Sequence, residues 1–317
     1  MSILSKAYFH DEAAAFEHVE SALWPDGPTC PHCGVIDNAY KLKGVRSKPS
    51  KKNPEGKERH GLYKCADCRK QFTVRIGTIF EESHLPLTKW LQAIYLMCAS
   101  KKGISAHQLH RILEVQYKTA WFLTHRIREA MSQGALNPFG GGGGDVEADE
   151  TFIGTEPGVP KGRNFRHKMK VLTLVDRDSK QARSFVLDDM KPSSIAALVQ
   201  GNVSKEARLL TDQARHYIFA RSAFERGHGA VHHGKGEYVS FTDPVIHTQT
   251  VENYYSVFKR GMKGTYQHCA KHHLHRYLAE FDFRYNHRSA NGIEDGERAA
   301  IALRGVTGKR LTYRRTH

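Results

Sequence analysis

Long apolar runs are missing from this 317-residue chain, and no stretch approaches the roughly 20 residues a membrane-spanning helix needs. The opening "MSILSKAYFHDEAAAF" lacks the apolar core of a secretion signal. Both absences predict an intracellular, cytoplasmic protein with no membrane partner. Cysteines are few, six in all, and in a reducing compartment they do not build a disulfide framework. No internal repeat is present, which excludes a repeat array. Acids are scarce beside bases: 33 Asp and Glu against 48 Lys and Arg, a net charge of +15, with 20 His in reserve. That imbalance points to a polyanionic partner, with counterion release from phosphates supplying much of the affinity. A basic protein with a merely solvated surface is the plain alternative. Apolar residues at 39% and aromatics at 10% suffice for real cores, and the length allows two or three domains.

What is present divides the chain into regions. Residues 1–28 predict a short helix, "DEAAAFEHVESALW", ended by "PDGP". Residues 29–84 carry two Cys-x-x-Cys pairs, and 85–135 are helical, with apolar spacing at Trp90, Ile94 and Met97 and again at Leu109, Ile112 and Leu113. A glycine-rich segment, 136–144, predicts a flexible linker. Residues 145–290 change to strands first and helices later, and 291–317 form a basic tail ending in "GVTGKRLTYRRTH".

The cysteine pairs are "CPHC", Cys30 and Cys33, and "CADC", Cys65 and Cys68. Each pair fits a tight knuckle that aims two thiolates at one ion, and two knuckles complete a tetrahedral zinc site. Four thiolates leave no open position for chemistry, so this Zn2+ is structural. The spacer holds "VRSKPSKKNPEGKER", residues 45–59, which reads as a long basic loop at the tip of a ribbon hairpin. Cys98 and Cys269 read as packing residues.

In "KKGISAHQLHRILEVQYKTAWFLTHRIREAM", Ser105 caps a helix to about Leu113 and a break near "EVQ" leads to a second. Lys118, His125, Arg126 and Arg128 then fall on or near one face. Helix, turn, basic helix is helix-turn-helix logic, with the second helix in the major groove of double-stranded DNA. An ordinary helical hairpin with charges toward solvent gives the same pattern.

The stretch "DVEADETFIG", 145–154, sets Asp145, Glu147, Asp149 and Glu150 in strand-like surroundings. "KMKVLTLVD", "ARSFVLD", the helical "SSIAALVQG" and "ARLLTDQA" follow. The order β-β-β-α-β predicts a mixed sheet of three meandering strands and a fourth that crosses back beside the first. Asp149 then lies next to Asp212, a costly pairing unless a cation neutralises it. By pleat alternation Glu147 shares the side of Asp149 and Glu150 takes the other. Only Asp149 of the four is assigned chemistry, and the pattern gives Glu150 no reason for its place.

"HTQTVENYYSVFKRGMKG" predicts a helix from about Gln249, with Val251, Tyr255, Phe258 and Met262 as its apolar stripe. Glu252, Ser256, Lys259 and Lys263 form the adjacent stripe, so Glu252 and Lys259 point nearly the same way. They read either as surface residues or as site residues facing the two aspartates. Clustered carboxylates suit two-metal phosphoryl transfer with Mg2+ or Mn2+: Asp149 bridging both ions, Asp212 on one, Glu252 on the other, and Lys259 on a phosphate. The run "KRGMKGTYQHCAKHHLHR" adds Arg260, Lys263, Lys271 and Arg276 as candidate DNA contacts, and "VHHGKGEYV" reads as a loop beside the site. Leu274, Tyr277, Leu278, Phe281 and Tyr285 are core positions of the last long helix.

From the four-cysteine ribbon through "GTIFEESHLPLTKW", "VEADETFIG", "LLTDQA", "HTQTVENYYSVFKRGMKGTY" and "HLHRYLAEFDFRYNHR", the chain resembles the IS1595 family of insertion-sequence transposases, in its ISXO2-like group. The resemblance covers about residues 15–290. It implies an RNase H-like catalytic domain, dependence on Mg2+, and cleavage and strand transfer at element ends. It also implies a homo-oligomer in a synaptic complex, nucleoid-associated when bound to DNA. The family's first two acids fall on Asp149 and Asp212, and its lysine on Lys259. Its third position varies, and Glu252 is the natural match here. Gln249 stands where relatives often read His-x-Asn before that glutamate, which leaves Asn253 as the competing ligand. Three functions fit: a DDE-type transposase, a non-catalytic zinc-ribbon regulator with a decayed nuclease-like domain, and a simple metal-dependent nuclease.

Overall fold

A computed structural model describes all residues except 1, 52, 133, 135–136, 157, 163–164, 213–216 and 313–317. Those residues include part of the expected linker and the end of the expected tail, which lie outside the described residues. The chain forms two compact units, one of residues 1–100, 104–131 and 294–317, the other of 101–103 and 132–293.

The first unit begins with α1 (Glu12–Leu23), capped by the Asp11 side chain on the Ala14 amide at 2.7 Å. Three short strands follow, β1 (Ala39–Lys41), β2 (Tyr63–Cys65) and β3 (Gln71–Phe72), paired antiparallel in that order. The basic insertion between β1 and β2 runs back on itself, with Arg46 bridged to Glu58. Next come α2 (Leu87–Ala99), α3 (Ala106–Ile112) and α4 (Tyr117–Met131). Ser105 caps α3 through the Gln108 amide at 3.1 Å, and Glu114 takes a positive φ of 50° in the turn between α3 and α4. Residues 291–317 are not simply a tail: α8 (Asp295–Arg304) packs on α2, burying Ala302 and Leu303. Its apolar positions are too few to stand out among charges.

The second unit is a five-stranded mixed sheet: β4 (Asp145–Ile153), β5 (Met169–Asp176), β6 (Gln181–Leu187), β7 (Arg208–Asp212) and β8 (His228–Val231), in the order β6-β5-β4-β7-β8. β4, β5 and β6 are antiparallel neighbours, whereas β7 lies parallel to β4 and β8 parallel to β7. The crossover from β6 to β7 is α5 (Pro192–Asn202). β8 was not foreseen, being four residues long with a glycine inside it.

Pleat alternation sends the two faces of β4 into separate cores. Val146 and Ala148 join Leu172, Leu174, Ile195 and Val199 on the α5 side. Ile153 joins Val171, Val175 and the helices α6 (Gln249–Gly261) and α7 (Lys271–Asn286) on the other. The stripe of α6 is buried as its spacing predicts, with Val251 and Phe258 fully enclosed. Each such side chain contributes about 1.5–3 kcal/mol.

The glycine run corrects the linker reading. The Gly140 amide donates to Asp176 at 3.1 Å and the Gly142 amide to Glu206 at 2.8 Å. Gly140, Gly142 and Gly143 have φ of 71°, 75° and 89°, a region that L side chains rarely adopt. A Cβ on Gly140 would sit 2.5 Å from Ala207. The segment is a pinned turn feeding β4, and glycine is there for backbone geometry.

Candidate active site and zinc centre

The zinc centre is built by two matching knuckles. In the first, the Cys30 amide donates to Val35 at 2.9 Å, and Gly34, four residues on from Cys30, has φ of 79°. In the second, the Cys65 amide donates to Lys70 at 3.1 Å, and Arg69 takes φ of 59° at the corresponding place. The four sulfurs, of Cys30, Cys33, Cys65 and Cys68, all lie within 4.8 Å of one another. Sγ of Cys30 is 3.7 Å from Cys68, and that of Cys33 is 3.6 Å from Cys65. A tetrahedron with Zn–S of about 2.3 Å has an edge of about 3.8 Å, so the donor set and its size fit Zn2+. Trp24, Tyr63 and Phe72 pack beneath the ribbon, with centroids 5.5–5.8 Å apart.

The second centre lies on the α6 face of the large sheet. Ala148 and Thr211 are register partners on the parallel strands β4 and β7, so Asp149 and Asp212 are neighbours one step further. Burial pushes the Asp149 carboxyl up to about 7, and the nearby Asp212 charge adds to this. The Glu150 amide on its Oδ1 at 2.8 Å and Lys259 work in the opposite sense, while Glu252 raises it further. Glu252 and Lys259 thus both act electrostatically on Asp149 from α6. Asn253 is exposed. Asp149, Asp212 and Glu252 carry carboxylates, hard oxygen groups of the kind Mg2+ takes as ligands. Among the described residues, no three carboxylates bring one oxygen each within 4.8 Å of one another.

Glu252 Oε1 is held by two neighbours, Thr248 Oγ1 and His233 Nε2, each at 3.3 Å. The loop "VHHGKGEYV" therefore touches the site through His233, whose ring lies 5.2 Å from that of Tyr238. Lys259 Nζ lies 5.8 Å from the Tyr255 ring, and the Tyr255 hydroxyl donates to the Asp149 carbonyl at 2.6 Å.

The other acids of the first strand serve separately. Asp145 is held by Arg208 at 2.8 Å, and Arg208, ahead of Arg177, keeps its carboxyl below the ordinary range. Glu147 is fully buried and faces the N-terminus of α6. Glu150 faces α5 beside Tyr217, and burial pushes it up to about 8.

The basic residues expected to contact DNA fare unevenly. Lys118 is exposed on the first turn of α4. Arg126 and Arg128 do not fit that role, being only 5% and 2% exposed. Arg126 donates to the carbonyls of Glu81 and Leu311, and Arg128 to Thr124. The helix is enclosed on more than one side, so a charge pattern read as a solvated face is interior. Arg260 and Lys263 are exposed, while Lys271 is engaged by Glu156 at 2.8 Å and Asp188 at 3.2 Å. Arg276 is partly buried, its guanidinium 2.9 Å from His273. Arg177 has no role assigned from the sequence, yet it binds Glu147 and the segment entering α6. Nothing in the local pattern of "VDRDSK" singles it out.

Comparison with known proteins agrees with this layout. Residues 10–71 match a transposase zinc-ribbon domain and residues 142–286 an ISXO2-like transposase domain. The class is thus that of insertion-sequence proteins carrying a ribbon ahead of a transposase domain. The two matches cover about two thirds of the chain, which belongs to the IS1595 family of ISXO2-like transposases. It is also 26% identical over 299 residues to an "Uncharacterized protein in transposable element ISH50" of Halobacterium salinarum, spanning 87% of this chain and 91% of that protein. No helix among the described residues is long and apolar enough to cross a membrane.

Proposed function

We propose that the chain is a DNA transposase that cleaves insertion-sequence ends and joins them to target DNA by metal-dependent phosphoryl transfer, on an RNase H-like domain. The observation that carries this reading is the pairing of Asp149 with Asp212 on adjacent parallel strands, with Glu252 and Lys259 acting on Asp149 from α6. The strand order, three antiparallel strands followed by two parallel ones, is the support for the RNase H-like assignment.

Two negative groups held side by side and partly desolvated favour a cation over protons at neutral pH. Asp149, Asp212 and Glu252 are the residues that would hold Mg2+ or Mn2+. Such ions, when bound, lower the charge barrier at both the attacking and leaving oxygens of an in-line displacement. Lys259, on the same side of α6 as Glu252 and two turns on, binds a phosphate next to the scissile one. Tyr255 holds the Asp149 backbone so that its carboxylate stays at the strand's mid-length. Lys118, Arg260 and Lys263, exposed and cationic, hold the duplex through its phosphates. A homo-oligomer that pairs two element ends, in the cytoplasm on the nucleoid, completes the proposal.

The test is incubation with Mg2+ and DNA carrying the element's terminal repeats. Nicked and joined products are the expected result. Cutting without joining would make the protein a nuclease, and binding alone a regulator.

A further inference from the structure

We infer that Glu147 is a positioning residue: it caps α6 from the neighbouring strand and so sets where Glu252 stands relative to Asp149. This rests on the active-site reading above.

A helix begins with backbone N–H groups that lack partners, and the residue preceding the first turn ordinarily supplies a side-chain acceptor. In α6 that residue is Thr248, and its side chain makes no such bond. Its hydroxyl is turned to Glu252 and His233 instead. The acceptor comes from β4. Glu147 Oε2 takes the Val251 amide at 2.9 Å, and Oε1 takes the Thr250 hydroxyl at 2.6 Å. A carboxylate at this end also suits the helix dipole.

Glu147 is itself gripped from behind. Arg177 Nε donates to its Oε1 at 2.6 Å. The same guanidinium donates to the carbonyls of Val245 at 2.6 Å and His247 at 2.9 Å, and lies 2.8 Å from His247 Nδ1. One ion pair therefore fixes both the segment that enters α6 and the helix's first turn. Glu147 and Asp149 are two residues apart on one face of β4, and Glu252 directly follows Val251. The position of Glu252 relative to Asp149 is set through Glu147, with the Tyr255 bond to the Asp149 carbonyl as a second tie one turn further along. A buried ion pair is seldom favoured over an apolar pair for stability alone, so its presence here is better explained by placement.

Glu147→Gln keeps the shape but puts an amide NH2 against either the Val251 amide or Arg177, both donors. Thr250→Val is the milder variant, removing one bond and leaving the ion pair. In the full-length, zinc-loaded protein, hydrogen exchange of residues 247–258 and the Mg2+ concentration giving half-maximal thermal stabilisation would be measured. Glu147→Gln should speed exchange in the first turn of α6, and raise the Mg2+ midpoint, by tenfold or more. Thr250→Val should raise that midpoint about threefold. Exchange in α7 should match wild type in both. Unchanged α6 exchange and an unchanged Mg2+ midpoint in a folded Glu147→Gln protein would overturn the inference, as would loss of protection in α6 and α7 alike. If the wild type shows neither Mg2+ stabilisation nor cleavage, the active-site reading fails, while α6 exchange still decides whether Glu147 holds the helix.

Discussion

Asp149 and Asp212 stand side by side on parallel strands, one register step beyond the Ala148–Thr211 pair, and both face α6. Their proximity is unfavourable in the protein alone and favourable only with positive charge between them. Asp149→Asn should therefore separate stability from activity. Removing one charge should raise the melting temperature of the metal-free protein at pH 8 by about 2–4 °C, the shift that about 1 kcal/mol produces in a domain of this size. Cleavage of element-end DNA should fall about a thousandfold, the cost of losing several kcal/mol of charge stabilisation. Strand transfer at wild-type rate would sink the metal-ligand assignment.

Asp149 and Glu150 together set a pH dependence. Asp149 rises from 3.8 to about 7 and Glu150 from 4.5 to about 8, burial being the main cause in each. A carboxyl with a raised folded pKa holds its proton more tightly when folded. Its stabilising effect is complete below the unfolded value and is lost as pH rises through the folded one. Metal-free protein should thus lose stability between about pH 4 and 8 from these two groups. Stabilisation by Mg2+ should grow between pH 6 and 8, read by thermal melts at each pH. A Mg2+ effect that shrinks over that range would contradict the assignment.

Lys259→Ala should lower the cleavage rate about 10–100-fold, the worth of a charge-assisted hydrogen bond of about 1.5–3 kcal/mol. The Mg2+ midpoint of thermal stabilisation should hardly move if the lysine has the proposed role of binding phosphate and not metal. A large midpoint shift would place Lys259 in the metal site's support instead.

Arg128→Ala and Lys118→Ala should fail in different ways. Arg128 is buried against Thr124, so its loss should lower the melting temperature of the first unit and leave the salt dependence of DNA binding unchanged. Lys118→Ala should reduce the slope of log affinity against log salt by about 1. Fluorescence anisotropy over a salt series distinguishes them.

Chelation of zinc should unfold the ribbon, residues 29–72, because four thiolates brought within 4.8 Å have little reason to stay together without the ion. One equivalent of Zn2+ should restore it, as followed by circular dichroism, and Co2+ in its place should give the tetrahedral thiolate spectrum. Retained structure in the chelated protein would refute the structural role.

Much of this site is legible in the sequence because it rests on short-range periodicity. The stripe of Val251, Tyr255, Phe258 and Met262 fixes which side of α6 is buried, and hence that Glu252 and Lys259 lie beside it. The order of strand-like segments alone places Asp149 next to Asp212. What stayed hidden depends on distant partners. Arg177 lies 30 residues from Glu147 in the chain and meets it only through the β4–β5 pairing. Arg126 and Arg128 look like surface charges because local pattern cannot show that carbonyls of residues 81 and 311 and the hydroxyl of Thr124 wait for them. The glycine run reads as slack when only composition is weighed, whereas its amides are committed to Asp176 and Glu206.

The alternation of β4 has one last consequence. Val146, Ala148 and Glu150 face α5, and Glu147 and Asp149 face α6. A slip of one residue in strand pairing would exchange the two sets at once. It would drive Glu147 and Asp149 into an apolar layer and empty the site of its first carboxylate together with the cap on α6. A mispaired chain would therefore be unable to cut DNA, not loosely active. For a protein whose proposed chemistry breaks chromosomes, quality control of folding and restraint of activity are written into the same five residues.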